Sequence, residues 1–285
     1  MKKPYLTPEN ILAFIQSAFK EDIGDGDHST LAAIPAYKEG KAKLLIKEDG
    51  IIAGLELARM IFEYYDPSLK VDVLLQDGQE VKKGDVGLIV AGKAASILTT
   101  ERLMLNCMQR MSGIATKTFQ YNQLISHTKA QLLDTRKTTP NFRMLEKWAV
   151  ALGGGENHRF ALYDMIMLKD NHIDFAGGIQ PAIEATHRYL KAKNLSLKIE
   201  VETRNLEEVE TVLQVGGIDF IMLDNMDYQT MKEAVALVNG RYKTEASGGI
   251  SEETLKDVAE CGVDYISVGA LTHHIKSMDI SLKAI

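Results

Sequence analysis

Residues from about 130 onward alternate short apolar runs with amphipathic stretches, and this alternation constrains the fold more than any other feature. The runs are QLLD, YDMIMLK, LKIEVE, IDFIMLD, YKTEAS and VDYISVG. Helical patterns lie between them, for example at 178–192, 205–214, 227–239 and 251–260. Alternating strands and helices predict a parallel sheet with right-handed crossovers. Doubly wound folds and α/β barrels both satisfy this pattern.

The residues that end these runs favour the barrel. They are charged or polar, namely Asp134, Lys169, Glu200, Glu202, Asp224 and Ser247. In a barrel the carboxyl ends of the strands meet on one face, where active sites lie. Because only six runs are present, we expect an incomplete barrel rather than an eight-stranded one.

The preceding residues predict a separate α/β region. Thr7-Pro8 is typical of a helix start, and LELARMIFEYY also predicts a helix between the strand-like runs KAKLLIKED and LKVDVLLQ. A long helix is expected from about Leu98 to His127, with a possible break at Ser112-Gly113. The loop EDIGDGDHST lacks the spaced acids of a calcium loop. We assign it no role, and whether it acts as a lid is left open.

Composition restricts the class of protein. The chain has 285 residues, 45% of them apolar, which suffices for a sizeable core. Its net charge of −6 argues against general nucleic-acid binding. Two cysteines without ligand-spaced partners predict reduced core thiols, and no apolar run is long enough to span a membrane. We therefore expect a soluble, cytoplasmic protein without nucleic-acid or membrane partners.

Several loops carry the groups that bind anions. Arg136 and Lys137 follow the first run in DTRKTTP, and His158 and Arg159 end the glycine-rich stretch GGGENHR. The three glycines of that stretch, from Gly153 onward, would let the backbone approach a ligand closely. Lys169 ends a run of its own. Each of these groups also has a structural interpretation without a ligand. DTRKTTP could be a solvated loop, GGGENHR a flexible linker, and Lys169 a charge at the rim of the sheet. The glycines of ASGGI and ISVGAL suit a phosphate site in the last loops of a barrel.

The acids at strand ends admit two interpretations. Glu200, Glu202 and Asp224 could hold a divalent metal or sugar hydroxyls, or they could cap helices and form rim salt bridges. Arg102, in the long helix, is by default a surface residue. Taken together, so many cations in an acidic chain indicate a small polyanionic substrate.

The sequence resembles the quinolinate phosphoribosyltransferase family, also called nicotinate-nucleotide pyrophosphorylase (carboxylating). The resemblance lies in TERLMLNCMQRMSGIAT (100–116), DTRKTTP (134–140), GGGENHRFALYDMIMLKDNHI (153–173), IEVE (199–202), IMLDN (221–225), ASGGI (246–250) and ISVGALTH (266–273). The combination is highly specific, whereas no single piece is.

The resemblance implies a type II phosphoribosyltransferase fold. Residues 1–112 would form an N-terminal α/β sandwich, on which the C-terminal tail can pack back, and residues 113–285 an incomplete α/β barrel. It also implies a homodimer, or a higher oligomer, whose active sites are shared between subunits. The expected reaction joins quinolinate and phosphoribosyl pyrophosphate with decarboxylation and Mg²⁺, giving nicotinate mononucleotide for NAD biosynthesis.

The resemblance also implies residue roles. Arg102 would reach the partner's site, and Lys137, Lys169, Glu200 and Asp224 would be catalytic. Glu200 and Asp224 would face the ribose and the Mg²⁺, which is held mainly through pyrophosphate and water. The substrates would be bound by the larger set Arg102, Thr135, Arg136, Lys137, His158, Arg159, Lys169, Glu200, Asp224, Ser247, Gly248, Gly249, Gly269 and His273.

Two other functions compete with this one. An enzyme of the same fold could act on nicotinate or another aromatic acid, although a mono-acid needs fewer cations. A carrier or ligand-binding protein is the alternative from another class. DGQEVKKGD is similar to turns of biotinyl and lipoyl domains, but no exposed lysine stands between methionines at a hairpin tip.

Overall fold

The computed structural model describes residues 3–285, which form two compact units. The first unit comprises the chain up to Phe119, Thr138–Gly154 and Leu271–Ile285. The second unit comprises Gln120–Lys137 and Gly155–Ala270. The predicted boundary between residues 112 and 113 falls inside one helix and stays a prediction.

The helices and strands are numbered in chain order. The helices are α1 (Pro8–Ile23), α2 (His28–Ala33), α3 (Leu55–Tyr65), α4 (Ala94–Ile125), α5 (Arg143–Leu152), α6 (Asp170–Ala176), α7 (Ile179–Lys193), α8 (Leu206–Val215), α9 (Tyr228–Val238), α10 (Glu252–Ala259) and α11 (Ala270–His273). The strands are β1 (Glu39–Ile46), β2 (Gly50–Ile51), β3 (Lys70–Val73), β4 (Glu80–Val81), β5 (Val86–Lys93), β6 (Gln131–Leu133), β7 (Ile166–Leu168), β8 (Ile199–Thr203), β9 (Phe220–Asp224), β10 (Lys243–Ser247), β11 (Tyr265–Ser267) and β12 (Ile280–Ala284).

The first unit contains an antiparallel sheet with strand order β12-β1-β5-β3. Alternate residues of β1, including Leu44 and Ile46, are fully buried, as expected for a strand with one face on a core. Leu44 lies opposite Leu282 of β12, so the C-terminal residues form an edge strand of this sheet. Of the run LKVDVLLQ, only Lys70–Val73 is a strand, because the chain turns between Gln76 and Gln79.

The predicted helices of the first unit are present. The Thr7 side chain accepts a hydrogen bond of 3.2 Å from the Asn10 N–H and begins α1, with Pro8 at the first helical position. LELARMIFEYY is α3, whose first amides include that of Leu55, which donates to the Asp77 carboxylate at 2.8 Å. The sequence therefore predicted both helices correctly.

The predicted break in the long helix is wrong, because α4 continues through Ser112 and Gly113. The Ser112 hydroxyl bonds both the N–H and the carbonyl of Ala53, at 2.9 and 3.2 Å. A Cβ at Gly113 would overlap the backbone carbonyl of Lys276. Both residues are thus explained by close packing of α4 on other segments of the first unit, which outweighs the roughly 1 kcal/mol cost of a helical glycine.

The second unit contains a parallel sheet with strand order β6-β11-β10-β9-β8-β7. Each of the six predicted runs coincides with one of these strands, although β8 extends one residue beyond its run, and all five pairings are parallel. The helices α7, α8, α9 and α10 match the four predicted ones within one residue at each end. The expected α/β architecture, with a small N-terminal sheet and a C-terminal parallel sheet of fewer than eight strands, is confirmed.

Two further expectations concern cysteines and membranes. Cys107 and Cys261 are buried free thiols, as predicted, and burial raises the pKa of Cys107 to about 12. Across residues 3–285, no helix combines the length and the apolar character needed to cross a bilayer.

Gly113→Ala should lower the free energy of unfolding by about 1–3 kcal/mol, because the added methyl group overpacks the contact with Lys276. Urea unfolding measures the change. Asn106→Ala, at an exposed position of the same helix, is the control and should stay within about 0.5 kcal/mol of wild type. Equal stability of Gly113→Ala and wild type would contradict this account of the glycine.

Candidate active site

The predicted ligands of the second unit collect at the carboxyl ends of its strands. Because the strands are parallel, these ends lie along one edge of the sheet. The residues at or shortly after these ends are Thr135, Arg136, Lys137, Lys169, Asp224, Ser247, Gly248, Gly249 and Gly269. Glu200 was also predicted to end a strand, but it is the second residue of β8 and lies within the strand. The loop with His158 and Arg159 joins this edge through a parallel bridge between Leu133 and Glu156.

Two predicted ligands belong to the first unit. Arg102 is exposed on α4, within the family motif that begins at Thr100. His273 is exposed at the end of α11, where its Nδ1 contacts Nδ1 of His274. Their roles toward the substrates stay predictions.

His158 lies at the centre of a buried polar cluster. Its Nε2 is 2.9 Å from Glu200 Oε2 and 3.4 Å from Glu245 Oε2. The three side chains are 8, 0 and 1% exposed. The Nδ1 of His158 accepts a hydrogen bond of 2.7 Å from the Arg159 N–H, so in a neutral ring the proton is on Nε2.

Asp134 anchors the loop that carries this histidine. The aspartate is fully buried at the end of β6. Its Oδ1 accepts from the His158 N–H at 3.0 Å, and its Oδ2 accepts from Asn157 Nδ2 at 2.6 Å. These bonds hold the backbone before Arg159 beside the first strand of the sheet, so Asp134 is a structural residue of the loop.

Glu245 is a member of the cluster that sequence reasoning missed. It stands in the middle of β10 between buried Thr244 and Ala246. Burial raises its pKa well above the usual value of 4.5, the negative charge of Glu200 raises it further, and a hydrogen bond with Ser267 opposes this shift. The available signal was a glutamate inside an otherwise buried strand, a position that carboxylates rarely occupy without a partner.

The same three side chains could also hold a metal ion by distance alone. The ligand atoms of His158, Glu200 and Glu245 lie within 4.8 Å of one another. Burial and the nearby negative charge of Glu200 raise the pKa of Glu245, so this carboxyl group stays neutral to a higher pH than usual. We interpret the group as a buried cluster of one histidine and two carboxyl groups in close contact.

Arg159 lies in a partly buried position among other charged groups of this edge. Arg159 donates to the carbonyl of Met165 at 3.3 Å. Burial lowers the pKa of its guanidinium, and the positive charge of Arg136 lowers it further, against the influence of Glu200 and Asp164. An anion bound beside Arg159 would oppose the influence of Arg136. Lys137 and Lys169 are exposed at the same edge.

A second group of charges lies at the ends of β8 and β9. Burial raises the pKa of Glu202, the negative charge of Asp224 raises it as well, and Lys169 opposes the shift. Asp224 is half-buried, and its Oδ2 accepts a hydrogen bond of 2.7 Å from the side chain of Asn225. Neighbouring carboxylate oxygens of this kind are the ligands that Mg²⁺ prefers.

The glycines of the predicted anion loops serve different purposes. Gly248 has φ of +94°, and a Cβ there would overlap the side chain of Asn225, whose N–H donates to the Ser247 carbonyl at 2.9 Å. Gly153 is explained by packing, since a Cβ there would overlap the carbonyl of Ala115 in α4. The first glycine of GGGENHR is therefore needed within the first unit and was not placed there for close approach of a ligand.

Glu245→Gln should gain stability relative to wild type as the pH rises. The folded state keeps the Glu245 proton above the usual value of 4.5, while the unfolded state releases it there. Wild type therefore loses stability between pH 4.5 and the raised folded-state pKa, by at most about 1.4 kcal/mol per pH unit. Glutamine removes this dependence.

Urea unfolding at pH 5, 6, 7 and 8 measures the difference. Glu210→Gln, at an exposed position of α8, is the control and should parallel wild type at every pH. A constant difference between Glu245→Gln and wild type across this range would show that Glu245 is ionised in the folded protein.

Comparison with known proteins identifies the family. The model of the quinolinate phosphoribosyl transferase N-terminal domain matches residues 27–112, and that of the C-terminal domain matches residues 114–283. A chloroplastic nicotinate-nucleotide pyrophosphorylase [carboxylating] of Arabidopsis thaliana is 48% identical over 99% of this chain and 85% of its own length. A probable nicotinate-nucleotide pyrophosphorylase [carboxylating] of Synechocystis is 42% identical over 95% of this chain and 92% of its own length.

A solved structure agrees with the sequence comparisons. The crystal structure of NadC from Streptococcus pyogenes superposes with a TM-score of 0.92 at 38% identity, covering 98% of this chain and 99% of that one. Both parts of the chain are therefore accounted for by one group of proteins. The chain belongs to the quinolinate phosphoribosyl transferase family.

Proposed function

We propose that this chain transfers the phosphoribosyl group of phosphoribosyl pyrophosphate to quinolinate with decarboxylation. The products are nicotinate mononucleotide, pyrophosphate and CO₂, and the pathway served is NAD biosynthesis. Family membership supports the reaction. The observation that carries it in the site is the placement of Arg136, Lys137 and Lys169 after the carboxyl ends of parallel strands, with Arg159 in the loop that bridges to the first of them.

The binding roles follow from charge and position. Arg136 and Arg159 offer planar donors for the two carboxylates of quinolinate, with Thr135 and His158 supporting the same loops. Lys137 and Lys169 supply point charges for carboxylate or phosphate oxygens. The turn Ser247-Gly248-Gly249, together with Gly269 and His273, would hold the 5′-phosphate in the last loops of the barrel.

The reaction asks little covalent chemistry of the protein. The pyridine nitrogen attacks C1 of the ribose, and the bond from C1 to the pyrophosphate oxygen breaks. The resulting pyridinium accepts the electron pair left when the 2-carboxylate departs as CO₂, and a proton then replaces it on the ring. Orientation of the two substrates and stabilisation of charge supply the rate acceleration. Glu200 and Asp224 would stabilise positive charge that develops on the sugar.

The acids fit Mg²⁺ unequally. Asp224 is half-buried, and burial and the negative charge of Asp224 raise the pKa of Glu202, an effect that a divalent cation would oppose. The Glu200 carboxylate is fully buried against His158. We therefore propose that Asp224, with Glu202, faces the cation through water and pyrophosphate, and that Glu200 acts mainly through His158. The cation would neutralise the leaving pyrophosphate.

Turnover should depend on both carboxylates of the substrate. We expect quinolinate with phosphoribosyl pyrophosphate to release CO₂ and nicotinate mononucleotide, and nicotinate to react far more slowly. Losing one charge-assisted contact should cost about 1.5–3 kcal/mol, which is roughly 10- to 150-fold in kcat/KM. Steady-state kinetics with the two acids measures the ratio. Comparable turnover of both would favour the competing enzyme that acts on a mono-acid.

The assembly and compartment are also proposals. We propose a homodimer in which Arg102 of one subunit serves the active site of the other, because Arg102 lies outside the parallel sheet that carries most of the remaining ligands. Higher oligomers built from such dimers are compatible with this arrangement. We propose a cytoplasmic location, although the Arabidopsis relative is named as chloroplastic.

Mixing two inactive variants tests the shared site. Arg102→Ala and Lys169→Ala should each fold and lose most activity. With random subunit exchange about half the dimers are mixed, and in these both lesions fall in one site, so activity should return to roughly a quarter of wild type. Subunit exchange is verified with differently tagged chains. Complete exchange without recovered activity would mean that Arg102 serves its own subunit.

A further inference from the structure

The motif MQRMSGIAT of α4 carries an arginine that no step of the proposed reaction uses. The part of α4 around this motif lies along the chain segment that follows α11. The carbonyl of Gln109 accepts from the Met278 N–H at 2.9 Å, and Gln109 Nε2 donates to the Ile280 carbonyl at 2.8 Å. Lys117 Nζ donates to the His274 carbonyl at 3.0 Å. One face of α4 thus fixes residues 274–280 by their backbone.

Arg110 extends these contacts and forms an ion pair with a buried glutamate. Its Nε and Nη2 lie 2.7 and 2.6 Å from Glu146 Oε1. Glu146 is 0% exposed and Arg110 28% exposed. Nη2 also donates to the carbonyl of Thr272 at 2.9 Å, immediately before His273.

The second oxygen of Glu146 holds another segment. Glu146 Oε2 accepts from the Thr139 N–H at 3.1 Å, and Arg110 Nη2 donates to the Thr139 hydroxyl at 3.0 Å. Thr139 is two residues after Lys137 in the motif DTRKTTP. One ion pair therefore fixes the chain directly after Lys137 and directly before His273.

We propose that Arg110 and Glu146 are positioning residues of the transfer reaction, which set the two segments that carry Lys137 and His273. This inference rests on the proposed function. In the proposed reaction neither Arg110 nor Glu146 touches a substrate. They act through the backbone at Thr139 and Thr272, whose N–H and carbonyl have fixed directions in the first unit.

A purely structural role predicts a different response to mutation. Replacing a buried ion pair by apolar side chains of similar volume is often neutral or stabilising, whereas removing one partner is strongly destabilising. Apolar side chains cannot bond the Thr139 N–H or the Thr272 carbonyl. Replacing both residues together should therefore restore most of the stability without restoring the positions of the two segments.

The experiment compares Arg110→Met, Glu146→Met and the double variant with wild type. We expect each single variant to lose stability and the double variant to recover most of it by thermal unfolding. The kcat of the double variant should remain about 10- to 100-fold below wild type, because misplacement of catalytic groups by about 1 Å has effects of that size. A double variant with near wild-type kcat and KM would overturn the inference.

Two more variants keep the test decisive. Arg110→Lys retains the charge and loses the planar fork, so it should fold with a kcat clearly below wild type, and an unchanged kcat would overturn the inference even if the methionine variants do not fold. Arg59→Met/Glu63→Met removes an ion pair of the same length, 2.6 Å, on the surface of α3 and should keep wild-type kinetics.

The same assay separates this inference from the proposed function. Turnover of quinolinate by wild type and by the Arg59→Met/Glu63→Met control supports the proposed function whatever the other variants do. Absence of turnover in both of these proteins would overturn the proposed function and this inference with it.

Discussion

Parallel pairing of the six strands in the second unit forces every segment that follows a strand onto the same edge of the sheet. Residues separated by more than a hundred positions, such as Arg136 and Ser247, therefore come to one edge without any direct bond between them. Most positions inside the strands are apolar, with the buried carboxyl groups of Glu200, Glu202 and Glu245 as exceptions, whereas the positions after the strands are free to carry charge. This division allows one scaffold to collect cations from some loops and acids from others.

Three buried acids, Asp134, Glu200 and Glu245, explain how the loop that carries Arg159 is held at that edge. Asp134 fixes the loop of His158 by its backbone, and the ring of His158 joins Glu200 and Glu245 to the amide of Arg159. Burying acids is unfavourable unless they are hydrogen-bonded or protonated. Burial and the negative charge of Glu200 raise the pKa of Glu245, so its carboxyl group stays neutral to a higher pH than usual, and the imidazole of His158 lies within 3.4 Å of both acids. The position of Arg159 thus depends on groups that need not contact a substrate.

Much of this arrangement could be predicted from the sequence, because strand periodicity and strand-end residues are local signals. The six strands, the four helices between them and the helix begun by Thr7 are examples. Glu245 was missed because a single glutamate in a short apolar run does not show which distant residues face it. Gly113 and Gly153 were misinterpreted because glycine looks the same whether it breaks a helix, admits a ligand or lies against a carbonyl. Contact with a carbonyl depends on a residue far along the chain, because Lys276 is 163 positions from Gly113 and Ala115 is 38 positions from Gly153. No local sequence pattern contains such a contact.

The role of an arginine is also ambiguous in the sequence, and the groups that its guanidinium contacts in the structure resolve it. The guanidinium of Arg110 is matched by Glu146, Thr139 and the carbonyl of Thr272, so its charge and its donors are used within the protein. Arg159 also donates within the protein, to the carbonyl of Met165, but burial and the positive charge of Arg136 lower the pKa of its guanidinium. An added anion would oppose the influence of Arg136 at Arg159, whereas at Arg110 it would compete with the buried carboxylate of Glu146. The sequence shows both arginines only as members of family motifs, and the groups that the fold places around each one distinguish an arginine that holds segments in place from a candidate for anion binding.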